Sequence, residues 1–321
     1  MEIGSFIELQ LPKGREYYNR QVDIARLNTG RSGITHAYNI LGSKAIWLPI
    51  YQCDSVRDAL NSVGADIHYY HIDNEFNPID LPKDTEDSVL FANYYGIMSH
   101  ERMSNLASNY KNAIIDNCQA FFCKPVEDAM NVYSCRKFIG VPDGAYVIGP
   151  NAQAGVENYP QCYSSDTATF LFSRIEYGCE GKGYEMRKLN EDRIDLEGVM
   201  KMSKLTRAIL DGTDYNEIQL IRRFNFRYAH MLLADINKID PLIYYDDNTI
   251  PMVYPLVVED DTLLQKLQDA KHFQGHWWSY ICEEQPSDSF EYWLSRYVIP
   301  ITIDQRYNKN HIDYLANIIK S

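Results

Sequence analysis

Asp116 closes the apolar run Ile114-Ile115-Asp116 and is followed by Asn117-Cys118-Gln119-Ala120. Lys137 comes next, on the segment Ser134-Cys135-Arg136-Lys137-Phe138-Ile139-Gly140-Val141-Pro142-Asp143-Gly144-Ala145, flanked by small, Gly and Pro residues. A carboxylate at the end of a buried strand can keep a pyridinium nitrogen protonated. An amine on a nearby turn can form an imine with a cofactor aldehyde and later shuttle a proton. The pair points to pyridoxal 5'-phosphate (PLP) chemistry, with Lys137 as the amine and Asp116 as the carboxylate. The amine must be uncharged to add to a carbonyl, and burial together with the neighbouring cation Arg136 is expected to favour that form. The plainer readings are a surface lysine and a turn-forming aspartate at a strand end.

Such a pair needs parallel strands that end on one edge. Residues 44–50 read as a buried strand stopped by Pro49. A helix then opens at 51–55, with Asp54 or Ser55 as its N-cap and Val56, Leu60 and Val63 on one face. Residues 67–72, 89–93 and 113–116 are further strands, 104–110 lie in a helix, and strands at 132–134 and 145–148 bracket the lysine. Strands alternating with helices predict a mostly parallel sheet covered by helices, with ligands at its carboxyl edge, where Tyr51, Asp116 and Lys137 fall. Gly30-Arg31-Ser32-Gly33 leads into the amphipathic run 34–41. Its backbone N–H groups and dipole suit an oxyanion such as phosphate, or simply cap an ordinary helix.

From residue 151 the pattern turns helical and polar, with 176–183 as a Gly-rich loop. Residues 214–235 predict one long amphipathic helix whose Arg222, Arg223 and Arg227 read as a solvated face. After Pro241 come a strand at 252–258, a helix at 261–271, an aromatic loop at His276-Trp277-Trp278, a strand at 298–303 and a closing helix at 311–319. The aromatic loop either lines a ligand site or belongs to the core. Asp304-Gln305-Arg306-Tyr307 is a polar knot with no assigned purpose. The expected division is a large α/β domain over 1–225 and a small C-terminal α+β domain over 226–321.

A chain of 321 residues exceeds one usual core, and 45% hydrophobic with 13% aromatic residues fills it amply. A net charge of −13 argues against nucleic acid or an anionic membrane as partner. Seven scattered cysteines, none at CxxC spacing, predict reduced thiols and no zinc site. Residues 1–13 carry acids without an apolar core, and no apolar run approaches the roughly 20 residues of a membrane span. A soluble, cytoplasmic protein is expected.

With these residues assembled, the chain resembles the DegT/DnrJ/StrS-type sugar aminotransferases, PLP enzymes of the aspartate-aminotransferase fold (fold type I). Gly30-Arg31-Ser32 is similar to the family's phosphate-binding helix start, and Leu48-Pro49-Ile50-Tyr51 to its Val-Pro-Ser-Phe, whose aromatic stacks on the cofactor ring. Asn93-Tyr94-Tyr95-Gly96 resembles its His-Leu-Tyr-Gly turn, with Asn in place of His. Asp116-Asn117-Cys118-Gln119-Ala120 resembles Asp-Ala-Ala-Gln-Ala, the pyridinium partner and a glutamine close to the cofactor. Ser134 through Ala145 resembles the lysine segment with its Gly-Asp-Gly-Gly. The likeness covers roughly residues 28–150.

The resemblance implies PLP as cofactor, held by Gly30, Arg31, Ser32, Tyr51, Asp116, Gln119, Ser134 and Lys137, with Lys137 and Asp116 catalytic and no metal. Tyr51 as a stacking residue competes evenly with plain core packing, and Ser134 is placed within reach of the phosphate. The implied activity is transfer of an amino group from glutamate or a similar donor to a keto-sugar, nucleotide-linked, by a homodimer. The alternatives are another fold-type-I enzyme, such as a lyase or dehydratase, and a non-catalytic relative. The family's sugar dehydratases carry His where this chain has Lys137, which argues against that branch.

Overall fold

The computed structural model describes residues 3–321. Met1 and Glu2, which open the acid-bearing segment 1–13, lie outside the described residues. One sheet holds eight strands: β1 (Ile24–Leu27), β2 (Ala45–Pro49), β3 (Asp66–Ile72), β4 (Pro78–Ile79), β5 (Ser88–Ala92), β6 (Ala113–Asp116), β7 (Met130–Ser134) and β8 (Ala145–Ile148). Their spatial order is β1-β8-β7-β6-β5-β2-β3-β4. The five strands β3, β2, β5, β6 and β7 run parallel, while the pairings of β8 and β4 are antiparallel. Every residue of β5, β6, β7 and β8 is buried, as expected of strands covered on both faces.

The helices are α1 (Gly30–Leu41), α2 (Asp54–Ser62), α3 (His100–Ala107), α4 (Thr169–Tyr177), α5 (Lys182–Leu196), α6 (Lys204–Asp211), α7 (Tyr215–Leu233), α8 (Leu263–Asp269), α9 (Ile281–Glu284), α10 (Phe290–Tyr297) and α11 (Lys309–Lys320). A second, two-stranded antiparallel sheet pairs β9 (Val253–Val257) with β10 (Val298–Thr302). The expected parallel core is present, and β6 has the predicted bounds. Four details differ. The N-cap of α2 is Cys53, whose backbone is extended and whose side chain makes no capping bond. Ser99 accepts from Arg102 N and starts α3 earlier than the apolar pattern suggested. The predicted loop at 176–183 shrinks to the four residues between α4 and α5. Finally, β1, β4, α9 and α10 have no counterpart among the elements expected from the sequence.

Successive strands step outward from β2 in both directions, so the chain reverses its order between β2 and β5. A crevice at the carboxyl ends of the strands is expected at such a reversal. α1 packs over β7 and β8, and the approach is close: a Cβ on Gly33 would stand 2.7 Å from Val132 Cγ1. Three apolar clusters fill the interior. One lies under α1 and includes Ile34, Leu48, Val132 and Val147. A second gathers Phe121, Phe138 and Tyr146. The largest begins on β5 and β6 with Phe91 and Ile115 and continues through Phe226 into Leu256, Leu294 and Ile301.

Candidate active site

Asp116 ends β6 at the carboxyl edge of the sheet, and both of its oxygens are engaged. Oδ1 accepts from the Cys118 backbone N–H at 2.9 Å, and Oδ2 accepts from Gln52 Nε2 at 2.9 Å. Gln52 lies just beyond β2, so this bond spans the end of β5 at the reversal of strand order. The orientation of its amide is unambiguous, since Gln52 Oε1 accepts from Cys53 N at 2.9 Å and only Nε2 is left to donate. Gln52 is itself buried. Nothing in the sequence singled it out.

Lys137 ends a single 3-10 turn, Cys135–Lys137, that follows β7. Cys135 and Phe138 point inward, and this leaves Lys137 exposed and Arg136 half-buried. The expected burial of Lys137 is therefore not found in the single chain. Arg136 also gives less help than anticipated, because it forms an ion pair with Glu191 of α5. Burial pushes the Cys118 thiol well above its ordinary range; the Asp116 carboxylate adds to that push and the Lys137 ammonium opposes it. One thiol thus senses both groups, and Cys53 as well.

The start of α1 closes the same corner. Thr29 caps the helix, accepting from Ser32 N, and its hydroxyl lies 2.8 Å from that of Ser32. Gly30 is required by close approach, since a Cβ there would stand 2.5 Å from Cys118 Sγ and 3.7 Å from Ser134 Cβ. Gly30, Ser32, Cys118 and Ser134 are therefore brought together beside Asp116. Arg31 is instead drawn sideways into an ion pair with Asp195 of α5.

Tyr51 is fully buried, with its hydroxyl 2.7 Å from that of Tyr95 and its ring edge-on to Trp278 at 4.6 Å. The packing alternative describes this arrangement, because neither face borders open space. Gln119 is buried and accepts from Tyr95 N at 2.7 Å through Oε1. Asn93 donates to Asn117 Oδ1 and to Met98 O, so it holds the turn after β5 together. Trp277 and Trp278 belong to the aromatic packing around Tyr51 and Tyr95. Arg222 corrects the reading of the basic helix face: it is 2% exposed, whereas Arg227 faces solvent and pairs with Asp247. Burial lowers the pKa of Arg222 to about 10, although Asp304 supports its charge.

These residues suit a phosphorylated pyridine. A buried carboxylate offers Oδ2 to an N–H donor, and an ionised carboxylate has room for more than one. A helix start that carries the Thr29 and Ser32 hydroxyls suits an oxyanion. Among the described residues no cluster of His, Cys, Asp or Glu is placed to hold a metal ion, and no helix is long and apolar enough to cross a membrane. All seven cysteines are free thiols.

The sequence matches no protein-family profile and no curated protein. The fold, by contrast, has solved counterparts. A DegT/DnrJ/EryC1/StrS aminotransferase from Brucella abortus superposes with a TM-score of 0.60 at 13% identity, covering 92% of this chain and 85% of that one. The sugar aminotransferase CalS13 from Micromonospora echinospora gives 0.61 at 14% identity, over 93% and 87%. NtdA from Bacillus subtilis, solved with bound cofactor PMP, gives 0.61 at 13% identity, over 93% and 73%. The architecture is that of these aminotransferases, a large mostly parallel sheet covered by helices with a smaller C-terminal α+β part.

Proposed function

We propose that this chain is a PLP-dependent aminotransferase that moves an amino group from glutamate or a similar donor to a keto-sugar, nucleotide-linked. What supports the reading is the corner in which Asp116, Cys118 and the start of α1 meet at the carboxyl edge of the sheet, with Lys137 on the turn that follows the neighbouring strand β7. The sugar class rests on the fold likeness to sugar aminotransferases. PLP, when bound, supplies an electron sink for the carbon that loses its proton. Asp116, steadied by Gln52 and by Cys118 N, would hold the ring nitrogen protonated. Thr29, Gly30 and Ser32 at the helix start, with Ser134 beside them, take the phosphate. Lys137 Nζ would hold the cofactor and, once freed, would act as general base and acid for the proton that leaves the donor carbon.

A second copy completes the site in this reading. Lys137 is exposed in one chain, and α5 is tied to the site by the pairs Arg31–Asp195 and Arg136–Glu191. The adjacent surfaces of α4 and α5 expose Phe172, Ile175 and Leu189. A homodimer that covers this face would shield the amine from water. Domains meeting near residue 225, inside α7, belong to the same proposal.

Purified protein incubated with PLP should develop a visible absorption band that Lys137→Ala abolishes. Protein that stays colourless under those conditions overturns the cofactor assignment. A protein that binds PLP but moves no label from glutamate would belong to the lyase or non-catalytic alternatives. Sedimentation showing only monomer at micromolar concentration removes the dimer.

A further inference from the structure

The residue after the lysine is held from the far end of the chain. Phe138 O accepts from Gln305 Nε2 at 2.8 Å, across 167 positions of sequence. Gln305 Oε1 in turn accepts from Arg222 Nε at 3.1 Å. A guanidinium can only donate, so Arg222 fixes which end of the Gln305 amide points at Phe138. The same guanidinium lies 4.4 Å from the centre of the Phe138 ring. Arg222 therefore grips Phe138 by its ring directly and by its carbonyl through Gln305.

The support behind this grip is rigid. Arg222 Nη1 donates to Met252 O at 2.9 Å. One turn along α7, Asn225 Nδ2 donates to Ile303 O, Asp304 O and Tyr307 O. Arg306 grips both oxygens of Asp304. The knot at 304–307, which had no purpose in the sequence, is a bracket that presents Gln305. On its other side the Phe138 ring packs on Phe121 and Phe122, at 5.9 and 5.7 Å. The turn's own hydrogen bonds, Phe138 N and Ile139 N to Cys135 O, leave the Phe138 carbonyl for this outside partner.

We infer that Gln305, oriented by Arg222, is a positioning residue that sets where Lys137 stands relative to Asp116. The inference rests on the reading of Lys137 as the cofactor-holding amine, but the coupling itself does not require a cofactor. Gln305→Leu removes the donor at Phe138 O with little change of volume. Gln305→Glu keeps an acceptor for Arg222 and sets a second acceptor against the carbonyl. Either should speed backbone amide exchange in residues 135–141 about tenfold, the factor one hydrogen bond contributes. Exchange in α1 and β5 should stay unchanged.

The functional readout is borohydride-fixed labelling of Lys137 by PLP, located by mass spectrometry across pH. Gln305→Leu should cut labelling of Lys137 several-fold and displace its pH midpoint, with labelling of the distant, exposed Lys111 unaltered. Gln305→Asn, which keeps a shorter amide, should recover part of the loss. Unchanged exchange at 135–141 in both Gln305→Leu and Gln305→Glu overturns the inference, whether or not PLP binds. Altered exchange with Lys137 labelled as in wild type overturns it too, by showing that the turn moves without moving the amine. Should wild-type Lys137 never take label, the aminotransferase reading fails, and the exchange result alone decides the coupling between Gln305 and the turn.

Discussion

Gln52 donates its side-chain amide to Asp116 Oδ2 at 2.9 Å, from a loop that follows a strand two places away in the sheet. The bond gives the carboxylate a fixed direction before any ligand arrives, because the amide is anchored at its other end by Cys53 N. Asp116→Asn keeps the shape and removes the charge, and hydrogen bonds to a charged group are worth about 1.5–3 kcal/mol. PLP binding should weaken about ten- to a hundredfold, while Gln52→Ala weakens it less than about tenfold. Fluorescence titration with PLP measures both, and wild-type affinity in Asp116→Asn would remove the pyridinium role.

Gly30 has no room for a methyl group. Gly30→Ala would place a Cβ 2.5 Å from Cys118 Sγ, and overpacking of this kind costs about 1–3 kcal/mol. The melting temperature should fall, and Cys118→Ala in the same chain should restore most of it by clearing the clash. A double-mutant cycle on thermal unfolding checks this; additive losses would show that the two positions do not meet.

Glu291 of α10 stitches the C-terminal part onto β3. It is 1% exposed, and its Oε1 accepts from Ile72 N at 2.8 Å and from His71 Nδ1 at 3.1 Å. Glu291→Ala orphans a buried backbone N–H and should lower stability by about 1–3 kcal/mol in urea unfolding. Glu291→Gln retains an acceptor and should lose less. Equal losses in the two variants would mean that packing, not the hydrogen bond, matters at this position.

His272 makes stability depend on acid. Burial lowers its pKa to about 4 from an ordinary 6.5, its Nε2 accepts from Thr302 N, and its Nδ1 is buried without a partner. The unfolded chain therefore takes up this proton first as the pH falls. The contribution of neutral His272 is whole above about pH 6.5 and is lost on descending towards pH 4. Its ceiling is about 3 kcal/mol, at about 1.4 kcal/mol per pH unit. Urea unfolding at pH 7 and pH 5 should show a smaller difference in His272→Phe than in wild type; identical differences would exclude His272 as the source.

Much of this site is legible in the residue order because it is built from strand ends. An apolar run that stops at Asp116 and a Gly-led amphipathic run at 34–41 are local patterns; the first recurs in the structure at its predicted place, and the second as a helix that already begins at Gly30. What escaped notice depends on distant partners. Gln52 carries no local signature, and only the reversal of strand order brings it to Asp116. Arg222 sits in a basic stretch whose spacing suggests solvent, yet carbonyls from 251–252 and the ring of Phe138 draw it inside. Tyr51 follows a strand end as a stacking residue should, but the hydroxyl of Tyr95 and the ring of Trp278 claim it for the interior. Lys137 is exposed on a single 3-10 turn, and no pattern of apolar residues encodes which side chains of so short a turn face inward.

The largest apolar cluster, running from β5 and β6 through Phe226 into β9, β10 and α10, has a mechanical consequence. Swinging the C-terminal part away as a rigid flap would bring Tyr51, Phe226 and Leu294 into water together. Parting the chain along this seam would thus expose at one stroke the apolar interior that both parts share.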